Sequence, residues 1–209
     1  MDEGIGDTFV QLFSFCDFVL IDSSSENERS TEGKLVMQLG ASNATVSPRR
    51  LRTTRKLASA EERLKELGIQ LPSPPTPFGS YAEAVRSGNL LFLSGMLPTE
   101  GHTAKFVGRV GVEFDVEIGR RAARLAALNG LAVARQYLGS LDRITRIVRI
   151  GVSLATTEDC CEHPKIADGA SDLLQDIFGK DKNPSRLISG VASLPLGTPV
   201  ALELIFEVA

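Results

Sequence analysis

Tryptophan is absent from these 209 residues, tyrosine and histidine occur twice each, and aromatic residues make up only 6%. A surface that stacks nucleic-acid bases needs aromatic rings interleaved with basic side chains. Here the rings are few, and a net charge of −3 with a sequence pI near 5.5 exerts no general pull on polyanions or anionic membranes. His102 and His163 lie far apart with no nearby ligand set, so no metal site is expected. Cys16, Cys160 and Cys161 are an odd number with two adjacent, which is no disulfide framework and points to a reducing cytoplasm. No cofactor fingerprint stands out, and none is expected. The apolar stretch 9–21 is interrupted by Asp17 and too short to span a bilayer. Acidic Asp2, Glu3 and Asp7 before it have the wrong sign for a secretory leader.

What the chain does contain divides near residue 55. After the apolar stretch come a polar run, S-S-S-E-N-E-R-S-T, and a basic one with Arg49, Arg50, Arg52 and Arg55. Residues 1–55 are expected to be a disordered extension or non-native residues from an upstream start codon, the functional alternative being a targeting or docking tail. Asn43-Ala44-Thr45 matches a glycosylation sequon, with no other sign of secretion. Residues 56–209 are long enough to bury one sound core.

Within that domain, Ser59 and Glu62 form a capping box for a short helix ended at Gly68. Residues 81–85 and 90–94 flank Arg86-Ser87-Gly88-Asn89 and predict a hairpin, with a further short strand at Phe106–Val107. Apolar residues at helical spacing (Ile118, Ala122, Leu125, Leu128, Ala132) predict a long helix over 116–138. Its arginines, Arg120, Arg121, Arg124 and Arg135, are expected to be a solvated face rather than an RNA-binding one. Residues 144–155 predict a strand, and Pro164 opens a second helix ending near Gly179.

The chain closes on R-L-I-S-G-V-A-S-L-P-L-G-T-P-V-A-L-E-L-I-F-E-V, residues 186–208, which predicts a β-hairpin about the turn Pro195–Pro199. Val200, Leu202, Leu204, Phe206 and Val208 share one face of its second strand. Arg186 and Glu203 stand among apolar strand residues, where a charge needs a partner or a task. Simple pairing across the turn sets Val191 opposite Glu203, and alternation then turns Arg186 to the other face; a register shift, a bulge or a neighbouring chain would bring the two together. The element order predicts an α+β fold with helices over one face of a mixed sheet. Ser189, Val191, Ser193 and Ala201 are small or apolar, so the other face is expected to be buried by another subunit.

In order and spacing, L-G-I-Q-L-P-S-P (67–74), G-S-Y-A-E-A-V (79–85), G-N-L-L-F-L-S-G (88–95), A-A-R-L-A-A-L-N (122–129), H-P-K-I-A-D-G-A-S-D-L-L (163–174) and the terminal stretch resemble the RidA family, also called YjgF or endoribonuclease L-PSP. The match is nearest to a branch less characterised than the founding deaminases. The resemblance implies a chorismate-mutase-like fold and a homotrimer with pockets between subunits. It implies cofactor-independent hydrolysis of reactive imines or enamines such as 2-aminoacrylate to a 2-keto acid and ammonium. By the same resemblance Arg186 binds the substrate carboxylate and Glu203 positions or activates water, the two being the catalytic pair. Tyr81 stands near the pocket mouth, and Ser94 and Gly95 line its floor. A guanidinium suits the first role because it holds a carboxylate through two parallel hydrogen bonds.

Two positions depart from the deaminase pattern. Ile188 stands where cysteine is frequent, and the second helix has Asp168–Ser171 where a pocket asparagine is expected. His163 and Asp168 are read as belonging to the start of that helix rather than to catalysis. The alternative function is a non-catalytic homotrimer that binds small carboxylates or serves regulation, with RNA binding or cleavage third.

Overall fold

The computed structural model describes residues 58–209; the expectations for residues 1–55 lie outside the described residues. The first helix, α1 (Ala60–Glu66), begins at the capping box: Glu62 N–H donates to Ser59 Oγ at 3.2 Å, and Ser59 N–H to Glu62 Oε2 at 2.8 Å. Strands β1 (Ala84–Ser87) and β2 (Leu90–Met96) meet through the two-residue loop Gly88-Asn89. Gly88 leads that loop at φ 60°, a conformation that costs glycine nothing. Strands β3 (Thr99–Glu100) and β4 (Thr103–Ala104) form a small separate ribbon. Phe106–Val107, expected as a strand, is not one: Phe106 instead sets its ring edge-on to Phe114, centroids 6.1 Å apart.

Helix α2 (Val116–Leu138) starts where Asp115 Oδ1 accepts from Ile118 N–H at 2.7 Å and stops at Gly139, φ 82°. Strand β5 (Ile144–Ala155), helix α3 (His163–Phe178) and strands β6 (Ser185–Val191) and β7 (Val200–Val208) complete the domain. An alanine-rich face of α2 lets the helix lie close to its neighbours, with Ala122, Ala123, Ala126 and Ala127 fully buried. Where α2 meets α3 the approach is closer still. A Cβ at Gly169 would stand 2.1 Å from the Arg120 carbonyl oxygen, so only glycine fits. Two of the helix arginines are engaged: Arg120 pairs with Asp172 at 3.1 Å and Arg135 with Glu61 at 3.7 Å.

The main sheet has the order β1-β2-β7-β5-β6, with β5 and β6 parallel and the other pairs antiparallel. This corrects the expected terminal hairpin: β6 and β7 do not pair, because β5 lies between them. Helix α3 carries the chain from β5 over the sheet to a parallel neighbour, as a βαβ connection does. Residues 192–199 then have only to step across one strand, roughly 10 Å at the usual strand spacing. The arrangement buries both long apolar strands centrally. Ile144, Ile147, Ile150, Val152 and Leu154 of β5 and the alternate residues of β7 are shielded under the helices, while β6 takes the edge.

One face of the sheet supports α2 and α3. The other face carries Val85, Phe92, Ile205 and Leu187, and no element among the described residues covers it. Phe92 is 39% exposed there and Leu187 53%. Among the described residues no helix is long and apolar enough to cross a membrane.

Candidate functional site

Gly151 of β5 is the register point from which the site is built. It pairs with Glu203 of β7 on one side and Leu187 of β6 on the other, so all three share the open face. The absent side chain matters: a Cβ on Gly151 would stand 3.0 Å from Glu203 Oε2, so the carboxylate lies over the glycine. Arg149, also on β5, brings Nε to 3.3 Å from the same oxygen. Both groups are about half exposed, so solvent screens the pair and it adds little stability. Around them is a cavity of about 270 Å³ walled by Gly95, Ser153, Leu187, Ser189 and Ala201. Its floor is small side chains and glycine; its charged groups are Arg149 and Glu203.

Arg186 sits elsewhere. It pairs with Ile150, which pairs in turn with buried Leu204, so Arg186 lies on the helix side of the sheet. There Nη1 donates to Asp168 Oδ1 at 2.6 Å and to Ser171 Oγ at 3.0 Å, both on α3. Among the described residues Nε and Nη2 make no hydrogen bond, and the side chain is 28% exposed. Helix α3 thus anchors one corner of the guanidinium and leaves its Nε–Nη2 edge open. That edge is the one that accepts a carboxylate through two parallel bonds. Asp168 therefore belongs to the arginine rather than to the start of the helix. His163 does stand at that start, its Nε2 3.2 Å from Thr156 Oγ1.

Ser94 and Gly95 form a bulge. Leu93 faces Leu204 and Met96 faces Leu202, so β2 has one residue more than β7 across this interval. Ser94 is committed to holding it: Oγ donates to the Ala82 carbonyl at 2.6 Å and N–H to the Glu83 carbonyl at 2.9 Å. The bulge pushes Gly95 into the large cavity on one side. On its other side Gly95 also borders a second, smaller cavity with Tyr81 and Glu83. Tyr81 does not reach Glu203's cavity; its hydroxyl accepts from Phe78 N–H at 3.1 Å.

Within one chain, then, the fold gathers Glu203 and Gly95 into one cavity and Tyr81 and Gly95 into another. Arg186 stays across the sheet from Glu203. Sequence reasoning missed Arg149 and Glu83. Arg149 is the one basic residue within the I-V-R-I-G-V-S-L core of β5, but bulges at 144–146 and 147–149 break the alternation that would assign its face. Glu83 left a fainter signal, a carboxylate just before an apolar hairpin. Burial pushes it above its ordinary pKa of 4.5.

Comparison with known proteins agrees with this architecture. Residues 61–208 match the family described as "YjgF/chorismate_mutase-like, putative endoribonuclease". Protein TCP17 of Trypanosoma cruzi is 35% identical over 145 residues, 69% of this chain and 91% of its own length. A 2-iminobutanoate/2-iminopropanoate deaminase of Dermatophagoides farinae is 29% identical over 138 residues, 66% of this chain and 92% of its own. Among solved structures, an endoribonuclease-like protein of Shewanella oneidensis MR-1 superposes with a TM-score of 0.69 at 36% identity, over 72% of this chain and all of its own.

Proposed function

Because the chain belongs to the YjgF/chorismate mutase-like family, we propose that it hydrolyses reactive imine and enamine intermediates of the 2-aminoacrylate type to a 2-keto acid and ammonium. The observation that carries this reading is the open Nε–Nη2 edge of Arg186, anchored at its other corner by Asp168 and Ser171. An anchored guanidinium loses little freedom when it takes a carboxylate, and each charge-assisted hydrogen bond is worth about 1.5–3 kcal/mol. The Dermatophagoides relative bears the matching activity in its name, at 29% identity.

The chemistry asks little more. Water adds to the carbon of the protonated imine as Glu203 accepts the water's proton. Glu203 returns that proton to the carbinolamine nitrogen. As the C–N bond breaks, the hydroxyl gives its proton back to Glu203 and the carbonyl forms, and the departing ammonia takes the proton from Glu203 to leave as ammonium. A single carboxylate base contributes roughly 10²–10⁴-fold, which suffices for a substrate that hydrolyses unaided. Since one chain places Arg186 and Glu203 on opposite faces of its sheet, the working site joins Arg186 of one chain to the Glu203 cavity of another. A homotrimer with sites between chains meets that need.

The test couples the purified protein to a dehydratase that generates 2-iminobutyrate and follows the decay of the imine. Wild type should accelerate decay over buffer. Arg186→Ala should lower kcat/KM by about 10²–10⁴-fold, the loss of two charge-assisted hydrogen bonds. Absence of acceleration, or full activity in the variant, overturns the reading.

A second reading has its own observation. The carboxylate of Asp168 lies against Arg186 and partly neutralises it, and Ile188 replaces a frequent cysteine nearby. These favour a homotrimer that binds small carboxylates without turnover. Calorimetry that detects 2-ketobutyrate binding in a protein inactive on the imine would select it.

A further inference from the structure

The hydrolysis just described gives Arg149 no task, yet its guanidinium stands beside the base. Nε lies 3.3 Å from Glu203 Oε2, and among the described residues Nη1 and Nη2 make no hydrogen bond. The side chain is 42% exposed and helps to wall the cavity of about 270 Å³, in which it and Glu203 are the charged groups. A pair this open to water adds little stability, so the fold has little use for a cation here. A charge among the apolar residues of a strand then asks for a ligand.

The strands set this cation in line with the rest of the site. Arg149, Gly151 and Ser153 alternate onto one face of β5, roughly 6.6 Å from each to the next. Glu203 lies over Gly151, between Arg149 at one end of the cavity and Ser153 and Ser189 at the other. In the proposed reaction the imine carbon comes to Glu203, and its α-carboxylate goes to Arg186 of a neighbouring chain. What remains for Arg149 is the substrate's side chain. An ethyl group there leaves Nη1 and Nη2 facing apolar atoms. A carboxylate there takes charge-assisted hydrogen bonds from them, and the guanidinium offsets its repulsion by Glu203.

We propose that Arg149 is a specificity-determining residue that selects imines bearing a second carboxylate, those of amino dicarboxylic acids such as 2-iminoglutarate. Nη1 and Nη2 bind the side-chain carboxylate while the neighbouring chain's guanidinium holds the α-carboxylate. The substrate class rests on the proposed hydrolysis, but the preference for a dicarboxylate over a monocarboxylate can be read from binding alone.

An amino-acid oxidase acting on glutamate supplies 2-iminoglutarate, whose decay with the full chain is compared with that of 2-iminobutyrate. Wild type should favour the dicarboxylic imine in kcat/KM by about 10–150-fold, the contribution of one charge-assisted hydrogen bond. Arg149→Met, which removes the charge and keeps an unbranched stem, should erase that ratio. Equal losses on both substrates, as disturbance of Glu203 alone would produce, overturn the proposal, and so does a wild type without the preference. Calorimetry with 2-ketoglutarate and 2-ketobutyrate reads the same selection without turnover. Wild type should bind the former tighter by a similar factor, and Arg149→Met should bind the two alike. Inorganic phosphate that binds as tightly as 2-ketoglutarate would mark a general anion contact and overturn the selectivity. Preference in calorimetry without imine hydrolysis would keep the role of Arg149 and remove the hydrolytic reading; hydrolysis of 2-iminobutyrate without preference would do the reverse.

Discussion

Glu83 is the residue whose chemistry is most at odds with folding. Its carboxylate must shed water on one side with no partner to replace it, and burial raises its affinity for a proton above the ordinary value of 4.5. A raised carboxylate pKa means the folded chain holds the proton more tightly than the unfolded chain. The cost of the charged form is thus absent below the ordinary pKa and appears as pH rises through the folded one. Glu83→Gln should accordingly melt higher than wild type at pH 7, because it removes the charge whose burial is costly while keeping the side chain's shape. The gain should shrink to nothing by about pH 4, where both chains are neutral at that position. Thermal melts of the two proteins across pH 4–8 check it; a constant difference across the range removes burial as the cause. Arg186 is the opposite case. Its two bonds to α3 are made, and its cost is met by Asp168 and Ser171.

At the scale of elements, the contact between α2 and α3 is the tightest constraint in the domain. A methyl group on Gly169 has only the Arg120 carbonyl to displace, and backbone in mid-helix does not yield as a side-chain end does. Gly169→Ala should destabilise the fold by about 2–3 kcal/mol despite alanine's better helix propensity. Urea unfolding measures it, and a neutral or stabilising result would mean the helices can separate freely. Because α3 also holds Arg186, the same variant should weaken carboxylate binding. Most of these elements could be read from residue order. The capping box at Ser59, the stop at Gly139 and a turn around Gly88 are local signals, and local signals survive in a linear string, although the expected four-residue turn 86–89 proves to be a two-residue loop because β1 runs on to Ser87. Phe106–Val107 could not be, since a bulky pair looks like a strand until Phe114 is known to stand beside it.

At the scale of the molecule, a sheet face that no element among the described residues covers, with Phe92, Leu187 and Val85 at its surface, supports the proposed homotrimer. The proposed homotrimer predicts a solution mass three times the 22.5-kDa chain by light scattering. Phe92→Asp should lower that mass toward one chain without unfolding it, because Phe92 lies outside the core, and should abolish imine hydrolysis with it. A wild-type monomer with full activity would contradict both. The sequence by itself determined the family, the helix limits, the buried face of β7 and the residue types able to bind a carboxylate or activate water. Those depend on neighbours a few residues away, or on a pattern matched along the whole string. Strand partners do not. A short turn between two apolar runs argues for a hairpin, yet β5 takes the place between β6 and β7, because burying two long apolar strands in the sheet centre outweighs the convenience of a local turn. That insertion alone sets Glu203 over Gly151 beside Arg149 and turns Arg186 toward Asp168.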